Sequence, residues 1–212
     1  MRSSFVLIIL LVAVLLGIYF TFRPRLAPGQ APLKDIQIIE TLRTQFNQDV
    51  GQTRLIVLVS PTWSTCLAGA RWVQSQVLAQ NPSAQLRVYA VWLPMLWSDS
   101  REMWNGTTMP DNRVVHFWDG ERVIGEWFAK QVDGYDGISW DTYYLYGPDA
   151  VWETAPSPMV SSGGTIYDER EALQMQMNTL LKKWVLLGLI KRFKFVIHLK
   201  AVIKPLVEKF RW

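Results

Sequence analysis

Two uninterrupted apolar segments joined by one amphipathic helix constrain the fold of this chain most strongly. Leu55–Ser60 (LIVLVS) and Leu86–Pro94 (LRVYAVWLP) are typical of β-strands that are covered on both faces. Between them, Trp63–Gln80 has helical spacing. The apolar stripe of this helix contains Cys66, Ala70, Val73 and Val77. A strand, a crossover helix and a second strand predict a right-handed βαβ unit with a parallel strand pair.

Helix signals at three other points extend this plan. Pro61 ends the first strand, and Thr62 or Ser64 is expected to cap the helix that follows. Asp35–Val50 has the spacing of an amphipathic helix, with Asp35 as its expected cap. Asp168–Lys183 is predicted to be a closing helix that packs on the sheet.

Two hairpins are predicted from turn residues between strand-forming segments. Val114–Trp118 and Val123–Phe128 flank Asp119-Gly120, which favours a two-residue hairpin turn, with a helix here as the alternative. Thr142–Tyr146 and Val151–Trp152 flank a Gly-Pro-Asp turn. The predicted fold class is therefore α/β, with a mixed sheet built from a βαβ unit, a later hairpin and a closing helix.

The N-terminal segment predicts a membrane anchor. Residues 3–22 carry no charge, and Phe5–Phe22 is almost entirely apolar, which as a helix matches the hydrocarbon core of a bilayer. The alternative is a cleaved signal peptide, but bulky side chains follow the apolar run and no A-x-A pattern is present. We expect a transmembrane anchor over 1–25, a linker over 26–34, and a globular domain over 35–183 on the far side.

The charge distribution predicts which partners the chain has. Residues 26–181 carry ten basic and seventeen acidic side chains, which does not suggest nucleic-acid binding. Residues 184–212 form a basic amphipathic tail that suits an anionic membrane surface, with a helix packed on the domain as the alternative. The basic residues expected to contact lipid are Lys191, Arg192, Lys194, Lys200 and Lys204.

At the end of the first strand, the sequence resembles the thioredoxin-like superfamily. The strand runs into Pro61, Thr62, Trp63, Ser64, Thr65 and Cys66, where that family carries Cys-x-x-Cys at a strand-to-helix turn. The resemblance implies that an attacking cysteine at the first position opens a disulfide and that the second cysteine resolves the intermediate. Cys66 matches the resolving position, and Trp63 stands at the attacking one. Residues 95–138 are expected to be an insertion between the two halves of the fold.

Cys66 has three interpretations. It is the only cysteine, so no intrachain disulfide forms, and it is either a buried small apolar side chain or a one-cysteine redox site. In the third interpretation, Trp63 stands where the family would carry cysteine or selenocysteine, because some genetic codes read the selenocysteine codon UGA as tryptophan. UGG at position 63 would eliminate it.

The resemblance also implies a cis-proline before the strand that faces the motif. If Thr142–Tyr146 is that strand, Trp140 and Asp141 stand in the place of the proline. If it is Val114–Trp118, Pro110 is the candidate. We favour the first assignment, because the distance to the closing helix fits better.

Two functions remain open at this stage. The first is thiol–disulfide-type redox chemistry with an altered motif, and the second is a non-catalytic binding or assembly module at the membrane. No cofactor is predicted, and no metal site is expected, because the chain has one cysteine and only two histidines, His116 and His198. The resemblance implies an extracytoplasmic (periplasmic) domain on a single-pass anchor.

Overall fold

The computed structural model describes residues 11–14, 17 and 32–182. Most of the predicted anchor, most of the linker and the basic tail lie outside these residues, as do the five basic side chains expected to contact lipid. Within the described ranges, no helix combines the length and the apolar character needed to cross a bilayer.

A six-stranded mixed sheet forms the centre of the domain. Its strand order is β1-β4-β3-β2-β5-β6, so β2 is an interior strand with β3 parallel on one side and β5 antiparallel on the other. The strands are β1 (Lys34–Asp35), β2 (Thr53–Val59), β3 (Leu86–Trp92), β4 (Val114–Trp118), β5 (Thr142–Trp152) and β6 (Pro156–Gly164). The predicted βαβ unit is confirmed.

The helix of that unit covers one face of the sheet. It begins as α2 (Ser64–Trp72) and continues as a π-helical segment, Val73–Leu78. The predicted stripe on this helix is fully buried, and its side chains pack with those of the closing helix α4 (residues 170–182) in one core cluster. The described part of the predicted closing helix is thus confirmed, because Leu173, Met177 and Leu180 are buried.

The opposite face of the sheet is covered by α1 (Ile39–Gln48) and α3 (Val123–Phe128). The prediction that a helix starts at Asp35 is wrong, because Lys34 and Asp35 pair with the end of β4 as a short parallel strand. Asp35 accepts a hydrogen bond from Arg101 Nε at 2.8 Å instead of capping α1.

The predicted hairpin at Asp119-Gly120 is also wrong. Val114–Trp118 is a strand, but it pairs in parallel with β3, and Val123–Phe128 is helical. The Asp119 carboxylate accepts hydrogen bonds from the backbone N–H groups of Ile124 (2.9 Å) and Gly125 (3.3 Å). Asp119 therefore satisfies the first turn of a helix, which is the other common use of aspartate at such a position.

The second predicted hairpin has its turn in the wrong place. β5 runs through Gly147-Pro148-Asp149 with an irregular register, and the chain reverses after Trp152. Two carbonyl groups of this irregular stretch, those of Gly147 and Ala150, accept hydrogen bonds from the buried Arg54 guanidinium at 2.7 and 2.8 Å. These bonds hold the turn-forming residues within the strand. That residues 95–138 are an insertion stays a prediction.

Candidate functional site

The turn between β2 and α2 is held by the side chain of Ser60. Its Oγ accepts hydrogen bonds from the backbone N–H groups of Thr62 (3.3 Å) and Trp63 (3.1 Å). Trp63 has extended backbone angles, and α2 begins at the next residue. The prediction that Thr62 or Ser64 caps this helix is therefore wrong, because no side-chain cap is present.

Asp99 fastens this turn to the loop that follows β3. Its carboxylate accepts hydrogen bonds from Ser60 Oγ at 2.8 Å and from Thr62 Oγ1, and also from two backbone N–H groups, those of Met95 (2.8 Å) and Leu96 (2.9 Å). Burial opposes ionisation, but these hydrogen bonds outweigh it and lower the pKa of the Asp99 carboxyl. Asp99 is therefore a fixed negative charge beside the motif.

Cys66 lies in the first turn of α2 with no exposed surface. Burial raises the pKa of its thiol, a backbone hydrogen bond with Ser60 offsets part of that rise, and the carboxylates of Asp141 and Asp99 add to it. A helix N-terminus alone would favour the thiolate. Here burial dominates, so the thiol keeps its proton at neutral pH.

Asp141 brings a second carboxylate to the motif from the other half of the chain. It is 4% exposed, and its Oδ2 accepts a hydrogen bond from Thr65 Oγ1 at 2.6 Å. Its Oδ1 is buried without a hydrogen-bond partner. The Asp141 carboxylate lies beside the Cys66 thiol, and its charge and a hydrogen bond between the two groups contribute to the raised pKa of that thiol. A carboxylate next to a thiol is suited to accept the thiol's proton.

Trp63 occupies the outer side of the turn. Its side chain is 39% exposed and packs edge-on against Trp140, with ring centroids 5.9 Å apart. Trp63 is thus at the surface, whereas Cys66, three residues later, is buried.

His116 lies in β4 and is fully buried. Trp92 Nε1 donates to its Nδ1 at 3.1 Å, and its Nε2 lies 3.1 Å from the Met109 carbonyl oxygen. Burial lowers the pKa of His116 to about 4, partly offset by the Met109 contact. The imidazole is therefore neutral and packed at neutral pH. In the part of the chain that the structure describes, no three His, Cys, Asp or Glu side chains converge as metal ligands do.

The solved structures to which this chain is similar include proteins described as disulfide oxidoreductases and a protein disulfide isomerase. A secreted Mycobacterium tuberculosis disulfide oxidoreductase homologous to E. coli DsbE is 16% identical over 63% of this chain and 85% of its own, with a TM-score of 0.42. A putative thiol:disulfide interchange protein DsbE from Chlorobium tepidum is 17% identical over 64% and 84%, with a TM-score of 0.42. A putative protein disulfide isomerase from Bacteroides thetaiotaomicron is 14% identical over 65% and 78%, with a TM-score of 0.43. No protein-family model and no curated protein matches the chain.

The connectivity decides the fold. The βαβ unit is followed by a further parallel strand, β4, and the helix α3, and then by an antiparallel strand pair and a closing helix. Residues 61–66 lie where the interior strand β2 passes into α2. The fold is thioredoxin-like. In this domain Trp63 and Cys66 lie at the turn from β2 into α2 and in the first turn of α2; that they occupy the two positions of the family's Cys-x-x-Cys stays a prediction.

β5 is the strand beside the motif turn, because Thr142 pairs with Leu58 at the end of β2. Asp141 precedes this strand, and that it stands in the place of the family's proline stays a prediction. Sequence reasoning placed Asp141 there but missed its contact with Thr65. It missed Asp99 entirely, because a loop aspartate far from the motif gives no local signal.

Proposed function

We propose that this thioredoxin-like domain performs thiol–disulfide-type redox chemistry with an altered motif, in which Cys66 is the resolving thiol. We place it on an N-terminal membrane anchor, facing the extracytoplasmic (periplasmic) side. The observation that carries the redox proposal is the buried Cys66 thiol, one helical turn from the exposed position 63 and beside the buried Asp141 carboxylate.

The properties of Cys66 suit resolution of an intermediate and not attack on a substrate. Attack requires an exposed thiolate, and Cys66 is buried with a raised pKa. Resolution requires a thiol that meets only the intermediate bound at position 63, together with a group that takes its proton. The Asp141 carboxylate beside the thiol supplies that group.

The complete reaction needs a chalcogen at position 63. Its anion attacks a substrate disulfide, so a bond from residue 63 to one substrate sulfur forms, the substrate S–S bond breaks, and one thiolate leaves. Cys66 then gives its proton to Asp141 and attacks residue 63, which releases the second substrate thiolate and leaves a bond between residues 63 and 66. The substrate gains two electrons, and an external dithiol restores the pair.

Selenocysteine at position 63 provides this chalcogen. Its codon is UGA, which a genetic code that assigns UGA to tryptophan reads as Trp63. The gene is then expected to carry UGA at position 63. A UGG codon would contradict the two-chalcogen form of the proposal.

The Trp63→Cys variant tests whether this turn supports the chemistry. We expect positions 63 and 66 to form a disulfide on mild oxidation, with the loss of two hydrogen atoms and of both free thiols. We also expect the variant to reduce insulin disulfides in the presence of dithiothreitol. Ser64→Cys is the matched control, because residues two apart on a helix do not face each other.

Two results would count against the redox proposal. One is a folded Trp63→Cys chain that keeps two free thiols after oxidation. The other is equal turnover of insulin by the Trp63→Cys and Ser64→Cys variants. Either result would mean that the turn does not place residue 63 and Cys66 as a reacting pair.

A non-catalytic binding or assembly module is the second candidate function. It is favoured by the Trp63–Trp140 pair, which presents aromatic surface at the position where a redox domain has its nucleophile. In this case Cys66 is a packing residue, and Cys66→Ser changes neither activity nor partners. Loss of activity in Cys66→Ser with unchanged stability would exclude this candidate.

A further inference from the structure

One tryptophan side chain of the domain is almost completely exposed to solvent. Trp97 lies in the segment 95–103 after β3, here called the entry loop, and it is 99% exposed. Met103, at the other end of the entry loop, is 52% exposed. These two large apolar side chains lie within one nine-residue loop, and neither belongs to a buried core cluster. A tryptophan that a protein holds fully exposed is suited to contact with a partner or a membrane.

The entry loop is ordered by its own hydrogen bonds. Asp99 accepts from the backbone N–H groups of Met95 and Leu96, and the Asp99 N–H donates to the Leu96 carbonyl at 3.0 Å. Trp97 lies inside this closed turn. Its exposure is therefore a feature of a fixed backbone.

The entry loop is also where the N-terminal chain joins the domain. Arg101 donates from its guanidinium to the Leu33 carbonyl at 3.0 Å and to the Asp35 carboxylate at 2.8 Å. Residues 33–35 span the end of the predicted linker and the start of the predicted domain. Trp97 is four residues from Arg101, so the backbones of these two residues lie within about 14 Å of each other, and the Arg101 side chain reaches from there to Leu33.

The length of the linker limits how far this surface can be from a bilayer. If Phe5–Phe22 spans the membrane, residues 23–32 reach at most ~35 Å when fully extended. If residues 23–32 follow a path shorter than this extended length, the entry loop lies at the lipid headgroups. Tryptophan is the side chain most enriched at this level of a bilayer, because its ring is apolar and its N–H group is polar.

We propose that the entry loop rests on the membrane surface, with Trp97 inserted among the headgroups of zwitterionic phospholipid. This inference rests on the proposed membrane anchor. The loop carries one basic residue, Arg101, which is paired with Asp35, and two acidic residues, Asp99 and Glu102. This charge does not favour an anionic surface. Because Asp99 also holds the motif turn, the reaction centre then works close to the bilayer.

Site-specific lipid quenching tests the proposal on the full chain. Trp97→Cys in a Cys66→Ser background is labelled with a polarity-sensitive dye and reconstituted in phosphatidylcholine vesicles that contain a headgroup-level quencher lipid. We expect the probe at position 97 to lose roughly half of its fluorescence and to shift to the blue. Val50→Cys is the matched control, since Val50 is exposed and lies before β2, at the opposite end of the sheet.

Flotation with the vesicles tests the membrane anchor separately from the contact of the entry loop with lipid. If the chain floats and the probes at 97 and 50 are quenched equally, the entry loop does not touch lipid and only the anchor survives. If the chain does not float, the anchor fails and the inference fails with it. A blue shift that grows with protein concentration without lipid quenching would assign Trp97 to a contact between copies of the chain and would overturn the proposal.

Discussion

At the scale of single residues, the chemistry of the site depends on how Cys66 and Asp141 act on each other. Burial and the nearby carboxylates raise the pKa of the thiol in the same direction. Asp141 also accepts a hydrogen bond from Thr65 in the first turn of α2. It therefore orients this turn and places a negative charge beside it. A charge that suppresses a thiolate at rest can still take the thiol's proton when an intermediate is resolved.

Asp141→Asn is expected to make Cys66 more reactive. An asparagine oxygen still accepts the hydrogen bond from Thr65, but the negative charge beside the thiol is gone, so the pKa of Cys66 falls towards its ordinary value. Alkylation of the folded chain by iodoacetamide at pH 8 should become several-fold faster, with its pH–rate profile moved to lower pH. Mass spectrometry of the alkylated chain measures this rate.

The exposed Asp136 supplies a control for that experiment. Asp136→Asn removes one negative charge on a loop without touching the motif turn, and it should leave the alkylation rate unchanged. An unchanged rate in Asp141→Asn, with the fold intact, would show that Asp141 does not influence the thiol.

At the scale of elements, α3 depends on the buried carboxyl group of Asp119, which accepts hydrogen bonds from the first turn of this helix. Asp119 has no exposed surface, and one of its oxygens has no hydrogen-bond partner. Burial raises the pKa of Asp119 to about 6, against the backbone hydrogen bonds from α3 that lower it. The folded state therefore binds a proton that the unfolded state releases near the ordinary pKa of aspartate.

This raised pKa predicts a loss of stability as pH increases. The folded form is favoured fully below the unfolded pKa of Asp119, and the advantage disappears as pH rises through about 6. The free energy of unfolding should decrease by up to about 3 kcal/mol over this window. Asp119→Asn should flatten this dependence in urea titrations at pH 4 to 7. An equally steep dependence in Asp119→Asn, with Glu121→Gln as the exposed control, would assign the effect to another group.

The sequence predicted those elements whose structure depends on the spacing of neighbouring residues. It did not predict those that depend on contacts with residues far away in the chain. The βαβ unit follows from continuous apolar strands and a helical stripe, because both faces of β2 and one face of α2 are buried. Val123–Phe128 has strand-forming side chains but is helical, because Asp119 satisfies its first N–H groups. Gly147-Pro148-Asp149 has a turn sequence but lies within β5, because Arg54 binds the carbonyls on both sides of it.

The same division applies to the site. Trp63 and Cys66 could be predicted as candidate site residues because strand, turn and helix signals are contiguous in sequence. Asp99 and the role of Asp141 were not, since each reaches the motif across a long chain separation that no local spacing records. Arg54 lies outside the predicted strand Leu55–Ser60, because that strand was bounded by its continuous apolar residues.

At the scale of the whole molecule, Arg54 joins three elements through a single buried guanidinium. It donates to the carbonyls of Phe46 in α1 and of Gly147 and Ala150 in β5, and it stacks on the Phe46 ring at 4.2 Å. Its acceptors are backbone carbonyls, so removing the guanidinium leaves several buried acceptors without a donor.

Arg54→Met should lower the free energy of unfolding by about 3 kcal/mol or more, because buried carbonyls lose charged hydrogen-bond donors. Arg87→Met is the matched control in the neighbouring strand, where an ion pair with Asp49 is partly exposed to solvent and should contribute less than about 1 kcal/mol. Urea denaturation of both variants measures the difference. Equal losses would show that the guanidinium of Arg54 does not hold these elements together.

The proposed redox reaction depends on which amino acid stands at position 63 in the native protein. The direct measurement is mass spectrometry of the peptide that contains residues 63 and 66, from protein purified from its natural host. The account predicts a selenium isotope pattern at position 63 and a bond to the Cys66 sulfur after oxidation. A peptide with the mass of tryptophan at position 63 would contradict it and would leave the binding module as the function of this fold.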